Sequence, residues 1–307
     1  MSTLKTGKVF RSTGSWYVVR TADGKDFPCK LKGRFKIEGI RTTNPIAVGD
    51  VVDFNLLPDG ETGLIVSIHD RTNYIIRQAT NLSKASHIIA ANVDQAVLIA
   101  SMESPRTSTG FIDRFLVTAE AYHIPVVIVF NKFDLYDKAA KDKLDFISGI
   151  YKDCGYQCFF TSATEGIHIA EFKTLLKDKT SLLSGHSGVG KSALINCVDH
   201  SLDLKEGEIS SVHLKGKHTT TFAELFPLAF GGFIIDTPGI KEFGLVEFEK
   251  TELGQRFPEI RNRMHECRFN NCLHVNEPGC AVFKAVEDGE IADFRYNNYL
   301  NMLSGIE

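Results

Sequence analysis

The segment that most constrains the fold is the run from Gly185 to Ser192, because it matches the pattern G-x-x-x-x-G-K-[ST]. Its residues are Gly185, His186, Ser187, Gly188, Val189, Gly190, Lys191 and Ser192, followed by Ala193, which we include in the predicted site. Glycines let a backbone approach phosphate groups closely, and the N–H groups of such a loop point inward. The pattern predicts a loop that holds nucleotide phosphates, in which Lys191 reaches the β- and γ-phosphates and Ser192 is a ligand of Mg²⁺.

A short predicted strand and an apolar helix opening flank this pattern. Residues 180–184 have the length of a buried strand, and residues 193–195 open an apolar helix. Strand, glycine-rich loop and helix follow one another in the order that a phosphate-binding loop requires. The context therefore favours nucleotide binding over a chance match.

A second motif indicates which base is bound. Asn131, Lys132, Phe133 and Asp134 form an N-K-x-D sequence directly after the apolar run 126–130. A fixed carboxylate at Asp134 can accept from both guanine N1–H and the exocyclic amine, whereas adenine offers no such pair of donors. Asn131 is expected to tie loops together at the other edge of the base, while the stem of Lys132 covers one ring face. An ordinary surface turn is the alternative for these four residues taken alone.

A third loop is predicted to contact the same base. Thr161, Ser162 and Ala163 follow the apolar residues 158–160, and the backbone of such a loop commonly touches the guanine oxygen. A plain turn is the alternative interpretation of this segment.

Two further segments are predicted to sense the γ-phosphate. Asp236 and Gly239 belong to a D-x-x-G motif at the end of the apolar run 233–235, where Asp236 would hold Mg²⁺ through water and the Gly239 N–H would contact the γ-phosphate. Between the phosphate loop and this motif lies the segment 217–221, and we favour Thr220 as the residue that completes the metal shell. A threonine-rich edge strand is the alternative for that segment.

The order of these motifs is unusual. In an ordinary GTPase the phosphate loop comes first and the N-K-x-D and S-A motifs come last, but here positions 131 and 161 precede position 185. A parallel sheet tolerates such a rearrangement because its packing depends on which strands are neighbours, and termini that lie close together can be rejoined. The sequence therefore predicts a circularly permuted GTP-binding domain.

A cysteine and histidine cluster follows the permuted domain. Cys267, Cys272, His274 and Cys280 lie within fourteen residues. Three thiolates and one imidazole suit a closed tetrahedral Zn²⁺ site, so we predict one structural zinc ion. A buried thiol cluster with a surface histidine is the alternative. Two short helices are expected after these ligands, over residues 281–286 and 291–294.

The first part of the chain has a different character. Short β-rich runs between residues 7 and 67, separated by turn residues, predict a barrel of about five strands. We interpret residues 71–84 as a linker, and the first strand of the next domain is expected at 96–100.

This segment is also basic. Residues 1–41 contain ten Lys or Arg against three acids, interleaved with Trp16, Tyr17, Phe27 and Phe35. Such a composition suits contact with an RNA backbone combined with base stacking, although a basic solvated face over core aromatics is the alternative. The net charge of the whole chain is −3, which argues against indiscriminate polyanion binding. Any contact with RNA must therefore be local.

With all motifs in view, the chain resembles the RsgA family of circularly permuted GTPases that depend on the small ribosomal subunit. The resemblance rests on the phosphate loop, N-K-F-D, T-S-A, H-T-T-T, D-T-P-G and the four metal-ligand candidates. It implies a multidomain protein with an N-terminal β-barrel of the OB-fold type, a central α/β GTPase domain in permuted order and a mostly α-helical C-terminal zinc-binding domain. We expect these domains over residues 1–72, 73–247 and 248–307.

The resemblance also implies an activity and partners. It predicts slow hydrolysis of GTP to GDP, with Mg²⁺, that is stimulated by the small (30S) ribosomal subunit and used in its late maturation. The expected partners are that subunit, its 16S rRNA and other assembly factors. We expect a cytoplasmic location, since no apolar signal segment begins the sequence and no apolar run approaches the length of a membrane span. We also expect a monomer.

The catalytic water has no evident partner in the sequence. Ile240 stands directly after the D-x-x-G motif, where many GTPases have a glutamine that orients water, and an apolar side chain cannot do so. His218, beside the switch threonines, is our candidate, and a plain surface role for it is the alternative. Two other functions stay open: an RNA-binding assembly scaffold with GTP as a structural ligand, and a phosphotransferase that acts on a small molecule.

Overall fold

The computed structural model describes residues 4–31, 45–77, 87–202, 223–236 and 249–305. The strands are β1 (Leu4–Ser12), β2 (Tyr17–Thr21), β3 (Asp26–Leu31), β4 (Val51–Leu56), β5 (Gly63–Ile68), β6 (Tyr74–Arg77), β7 (His87–Ala91), β8 (Gln95–Ala100), β9 (Val126–Phe130), β10 (Gln157–Phe160), β11 (Thr180–Ser184), β12 (Glu224–Pro227) and β13 (Phe233–Asp236). The helices are α1 (Thr109–Ala121), α2 (Lys138–Asp153), α3 (Ile169–Leu176), α4 (Lys191–Val198), α5 (Lys250–Leu253), α6 (Pro258–Arg261), α7 (Ala281–Glu287) and α8 (Asp293–Ser304).

The chain divides into two compact units. The first contains Met1–Ala96, Ala170–Leu183 and Ile195–Lys241, and the second contains Val97–Ile169, Ser184–Leu194 and Glu242–Glu307. Each unit is therefore assembled from separate stretches of sequence.

The first unit begins with the barrel. Strands β1 to β5 are neighbours in the order β1-β2-β3-β5-β4, and β4 pairs back onto β1, so the sheet closes on itself. Alternate side chains of these strands point inward because successive residues of a strand face opposite sides. The core residues are Val9, Tyr17, Val19, Phe27, Cys29, Ile46, Val52, Phe54 and Ile65. The expected five-stranded barrel is confirmed.

The barrel corrects the predicted role of two aromatics. Tyr17 and Phe27 are each only 2% exposed and belong to the barrel core, so the prediction that they stack on bases is wrong. Trp16 is exposed, and the ammonium of Lys30 lies 4.2 Å from its ring centroid. Phe35 lies outside the described residues.

The segment interpreted as a linker contains a strand. Tyr74–Arg77 forms β6, which pairs antiparallel with β7. Ile75 and Ile88 are almost fully buried in this ribbon, and burial of such apolar side chains favours pairing over an open linker. The linker interpretation was therefore wrong for residues 74–77.

The rest of the first unit continues the sheet. Strand β11 pairs in parallel with β13, β13 pairs antiparallel with β12, and β12 pairs with β1 at Glu224 and Arg11. The side chains of these two residues form an ion pair. The D-x-x-G motif thus begins at the last residue of β13.

The second unit is built around three neighbouring strands in the order β10-β9-β8. Strand β9 is parallel to β10, and all five of its residues are buried. Ser108 caps α1 and Asp137 caps α2, since each side chain accepts from an N–H in the first turn of its helix. Predicted strands at 126–130 and 180–184 agree with β9 and β11.

The C-terminal part of the second unit is mostly α-helical. Helices α5 to α8 surround a core that includes Phe257, Ile260 and Tyr299, and Val117 of α1 packs into the same core. The expected helix at 291–294 is longer than predicted, because α8 continues to Ser304. Among the described residues, the helices fall short of the length and apolarity that a membrane crossing needs.

A buried ion network fixes α8 against α1. Arg295 of α8 is 1% exposed and donates to Asp113 of α1 at 2.5 Å and to Glu259 at 2.7 Å. Asp113 also accepts from Tyr151 at 2.7 Å and from Asn298 at 2.6 Å. The C-terminal helices are thereby attached to the helix that precedes the N-K-F-D strand.

Candidate nucleotide site and zinc centre

The phosphate loop connects β11 to α4 in a conformation that requires glycine at two positions. Gly185 has φ +144°, and a Cβ there would lie 2.2 Å from the Ile99 carbonyl oxygen. Gly190 has φ +96°, and its Cβ would lie 2.3 Å from the side-chain nitrogen of Asn131. Any larger residue would collide with the strands and loops around it. The close approach of these segments explains why this sequence has glycine at both positions.

Lys191 begins α4 and folds back over the loop. Its Nζ donates to the carbonyl of Gly185 at 2.7 Å and to that of His186 at 2.8 Å. Ser187 and Gly188 are exposed at the mouth of the loop, whereas Val189 is fully buried and anchors it. The remaining predicted phosphate-binding residues, Ser192 and Ala193, lie in the first turn of the helix. An ammonium held across an open glycine loop fits a phosphate ligand.

Asn131 joins the three predicted nucleotide motifs. It lies at the end of β9 with only 1% of its surface exposed. Its Nδ2 donates to the Val189 carbonyl at 2.9 Å, and its Oδ1 accepts from the Thr161 hydroxyl at 3.1 Å. The Phe133 N–H donates to the Thr161 carbonyl at 3.0 Å. The phosphate loop, N-K-F-D and T-S-A therefore meet within the second unit.

Asp134 carries the most informative polar atom of the site. Its Oδ1 is buried and has no hydrogen-bond partner among the residues that the structure describes. A buried carboxylate oxygen without a partner is destabilising by about 1–3 kcal/mol or more. A ligand that presents N–H donors to this oxygen removes that penalty, and the guanine N1–H and amine are such donors. The unpartnered carboxylate oxygen of Asp134 therefore fits the two N–H donors of a guanine base.

The other residues of these two motifs occupy the same region. Lys132 has φ +66°, and its Nζ donates to the carbonyl of Ser104. Phe133 stacks on Phe160 with ring centroids 5.7 Å apart. Ser162 is fully buried, and its hydroxyl accepts from the Glu165 N–H at 3.0 Å, so it holds the T-S-A turn that ends in Ala163.

The structure also reveals two residues that sequence reasoning missed. The Tyr136 hydroxyl donates to the Asn131 carbonyl at 2.5 Å and accepts from the Met102 N–H at 2.8 Å. Phe111 of α1 stacks on His186 of the phosphate loop with centroids 3.9 Å apart. Burial, with the nearby Lys191 ammonium, lowers the pKa of His186. No local pattern marks the contacts of Tyr136 with Met102 or of Phe111 with His186, because these partners are distant in sequence.

The predicted switch residues lie almost entirely outside the part of the chain that the structure describes. Asp236 ends β13 in the first unit, where its backbone pairs opposite Glu224. Its side chain, together with His218, Thr220 and Gly239, lies outside the described residues. Their roles therefore stay predictions.

The four zinc-ligand candidates come together in the second unit. Their ligand atoms all lie within 4.8 Å of one another. His274 Nδ1 is 3.6 Å from Cys267 Sγ and 3.5 Å from Cys280 Sγ, and the two sulfurs are 3.9 Å apart. A tetrahedron with Zn–S bonds of about 2.3 Å has sulfur atoms about 3.8 Å apart. The spacing fits a Cys3His zinc site.

The chemistry of these side chains also fits a cation. Burial and the neighbouring thiols raise the pKa of Cys272 to about 12. Burial lowers the pKa of His274, which keeps the imidazole neutral and able to donate a lone pair. A bound divalent ion stabilises the thiolates that this environment otherwise disfavours. All seven cysteines are free thiols, including Cys29, Cys154, Cys158 and Cys197.

Fold and site together define a class of protein. An N-terminal barrel precedes a nucleotide-binding part in which the N-K-F-D loop comes before the phosphate loop along the chain, and a Cys3His cluster follows. A loop for guanine joined to a loop for phosphates in this reversed order is typical of a circularly permuted GTPase.

Comparison with known proteins gives the family. The model of the RsgA GTPase family matches residues 68–246, and that of the RsgA N-terminal domain matches residues 6–65. The small ribosomal subunit biogenesis GTPase RsgA of Christiangramia forsetii is 50% identical over 303 residues, covering 98% of this chain and 96% of the relative. The chain belongs to the RsgA GTPase family.

Solved structures agree with this assignment. The crystal structure of YjeQ from Thermotoga maritima has a TM-score of 0.80 and 35% identity, with 99% of each chain covered. YloQ, described as a circularly permuted GTPase, has a TM-score of 0.76 and 32% identity, covering 99% of this chain and 95% of the other. The predicted fold class and permutation are therefore confirmed.

Proposed function

We propose that this protein hydrolyses GTP and uses its nucleotide state to bind and leave the small (30S) ribosomal subunit during late maturation. The observation that carries the proposal is the buried, unpartnered Oδ1 of Asp134, in a loop that Asn131 joins to the phosphate loop. The partner is supported by the name of the C. forsetii relative, which is similar over 98% of this chain. We further propose that it acts in the cytoplasm as a monomer.

In this proposal the nucleotide is held at both ends. Asp134 would bind the guanine edge, Lys191 and the loop N–H groups would bind the phosphates, and Ser192 and Thr220 would be ligands of Mg²⁺. Asp236 would help to hold the same ion, and the Gly239 N–H would contact the γ-phosphate. When bound, Mg²⁺ would neutralise the negative charge that develops on the phosphates.

Slow hydrolysis by the protein alone follows from the sequence after the D-x-x-G motif. Ile240 cannot orient the attacking water, so His218 is the residue that we propose for this task, aligned when the small subunit binds. Contact of the segments 207–221 and 236–242 with the γ-phosphate would then link hydrolysis to release from the subunit.

Contact with 16S rRNA is proposed for the barrel. Among its described cations, Arg11 pairs with Glu224 and Arg20 pairs with Asp26 at 2.6 Å. The positive charge left for phosphates therefore belongs mainly to lysines such as Lys5, Lys25 and Lys30. The zinc centre would keep the C-terminal helices folded. We include other assembly factors of the subunit among the proposed partners.

One assay tests the proposal. The rate of GTP hydrolysis is measured with and without purified small ribosomal subunits, and we expect a large increase when the subunits are present. An absence of turnover in both conditions would instead support a scaffold in which GTP is a structural ligand. Turnover that requires an added small-molecule acceptor would support a phosphotransferase.

A further inference from the structure

The loop that carries His274 is organised by one carboxylate. Glu277 accepts hydrogen bonds from the backbone N–H groups of Leu273 at 2.7 Å, Val275 at 2.8 Å and Asn276 at 3.1 Å. The first two of these residues stand on either side of His274 in the sequence. A single side chain outside the proposed ligand set therefore fixes the backbone before and after a ligand.

The carbonyl groups of the same loop are held from the opposite direction. The Tyr299 hydroxyl donates to the Leu273 carbonyl at 2.7 Å, and the Tyr296 hydroxyl donates to the His274 carbonyl at 2.6 Å. Both tyrosines lie on α8 and are at least 90% buried. Side chains of the protein therefore hydrogen-bond both the N–H groups and the carbonyl groups of the loop around His274.

The backbone at His274 needs such support. Its φ is +57°, in the left-handed region, which is unfavourable by about 1–2 kcal/mol for a residue with a side chain. In this conformation its Nδ1 faces the sulfurs of Cys267 and Cys280, at 3.6 and 3.5 Å. The hydrogen bonds to the loop therefore offset the cost of this backbone conformation.

We propose that Glu277 is a positioning residue for the zinc centre, whose carboxylate holds the His274 loop in its ligand geometry before the metal arrives. The proposal rests on the assignment of the cluster as a zinc site. Ordering a free loop lowers the net affinity for a ligand, whereas a loop already ordered avoids that loss. Removal of groups that orient metal ligands typically weakens metal binding by about 10–100-fold.

The test is made on the full chain with the substitution Glu277→Gln. Glutamine has nearly the same shape but replaces one acceptor oxygen with an NH2 group that would face N–H donors. Zinc affinity is measured by competition with a chelator of known affinity, and we expect it to fall by about 10–100-fold. Co²⁺ serves as a spectroscopic probe, since its absorption reports whether a site with three thiolates and one imidazole still forms.

A matched control is available beside the same loop. Glu287 on α7 lines the groove next to Glu277 and is exposed. Glu287→Gln removes the same charge from the same groove and should leave zinc affinity unchanged. Equal zinc affinity of Glu277→Gln and the wild type would overturn the proposal, as would an equal loss in both variants.

A measurement on the wild type covers the case in which the variant does not fold. Amide hydrogen exchange of the metal-free protein should show protection at Leu273 and Val275, because their N–H groups donate hydrogen bonds to Glu277. Rapid exchange there would mean that the metal, and not Glu277, orders the loop. Failure of the wild type to bind one zinc ion would instead refute the zinc site itself, so the two failures are distinguishable.

Discussion

The side-chain amide of Asn131 donates a hydrogen bond of 2.9 Å to the backbone carbonyl of Val189, which is 58 positions away in the chain. The same amide accepts from the Thr161 hydroxyl at 3.1 Å. One buried side chain therefore sets the separation between the loop for the base and the loop for the phosphates. A circular permutation changes the order of the segments along the chain but not which strands and loops are neighbours in space. A side-chain contact between two loops can therefore form in either order.

Asn131→Ala should weaken nucleotide binding and lower the melting temperature. The substitution leaves the Val189 carbonyl and the Thr161 hydroxyl without partners, at about 1–3 kcal/mol for each buried group. Calorimetry with GDP is expected to show at least a roughly 10-fold loss of affinity. Thr161→Val removes only one of the two bonds and should have the smaller effect; an unchanged GDP affinity in Asn131→Ala would contradict the role given to the amide.

Asp134→Asn should abolish the preference for guanine. An amide offers one acceptor and one donor group where the base presents two donors, so GTP affinity should fall by at least about 100-fold. Xanthosine triphosphate carries a carbonyl in place of the amine and should bind the variant better than GTP does. Calorimetry with GTP, ATP and xanthosine triphosphate measures all three affinities. Asp137→Asn, at the cap of α2, keeps a good capping side chain and serves as the control.

If the Asp134→Asn variant still preferred GTP over ATP, the assignment of Asp134 to guanine recognition would be wrong.

Short segments that end directly before a motif were the most predictable part of the fold. The strand predicted at 126–130 agrees residue for residue with Val126–Phe130, and the one at 180–184 agrees with Thr180–Ser184. The first is a continuous apolar run of the kind typical of buried parallel strands, and in both cases the motif marks where the backbone leaves the sheet. Sequence alone therefore locates these loops well.

Features that depend on distant partners were not predictable. Strand β6 finds its partner β7 only beyond a polar stretch, so its residues resembled a linker. Tyr136 accepts from the backbone N–H of Met102, 34 positions away, and a backbone partner leaves no mark in the sequence. Charge and aromatic content likewise did not reveal that Tyr17 and Phe27 point into the barrel, because composition carries no information about which face of a strand is inside.

Tyr136→Phe should reduce stability and nucleotide affinity together. The loss of one hydroxyl leaves the Asn131 carbonyl and the Met102 N–H unpaired, at about 1–3 kcal/mol for each group that stays buried. Thermal unfolding and GDP titration measure the two effects. Tyr156→Phe is the matched control, since its hydroxyl makes only a 3.4 Å contact with Glu120. Equal behaviour of the two variants would show that the Tyr136 contacts are dispensable.

Arg295→Met should destabilise the attachment of the C-terminal helices to α1. It removes the cation beside Asp113 and Glu259 and leaves a buried carboxylate uncompensated, which lowers stability by about 3–5 kcal/mol. Urea unfolding measures the change. Arg263→Met breaks the exposed pair with Glu290 and should change stability by less than about 1 kcal/mol. If both variants lost a similar free energy of unfolding, the buried Arg295 network would be no more stabilising than the exposed ion pair.

His218→Ala tests the alignment of water. Ile240 offers no polar group after the D-x-x-G motif, so removal of the imidazole should lower subunit-stimulated turnover by roughly 10²-fold, at the lower end of general-base effects. Affinity for GTP should change little, because His218 is not among the residues proposed to hold the base or the phosphates. Single-turnover hydrolysis with saturating small subunits separates the chemical step from binding. His213→Ala removes another imidazole from the same stretch of sequence and should leave the rate intact. Unchanged stimulated turnover in His218→Ala would exclude that side chain from water alignment.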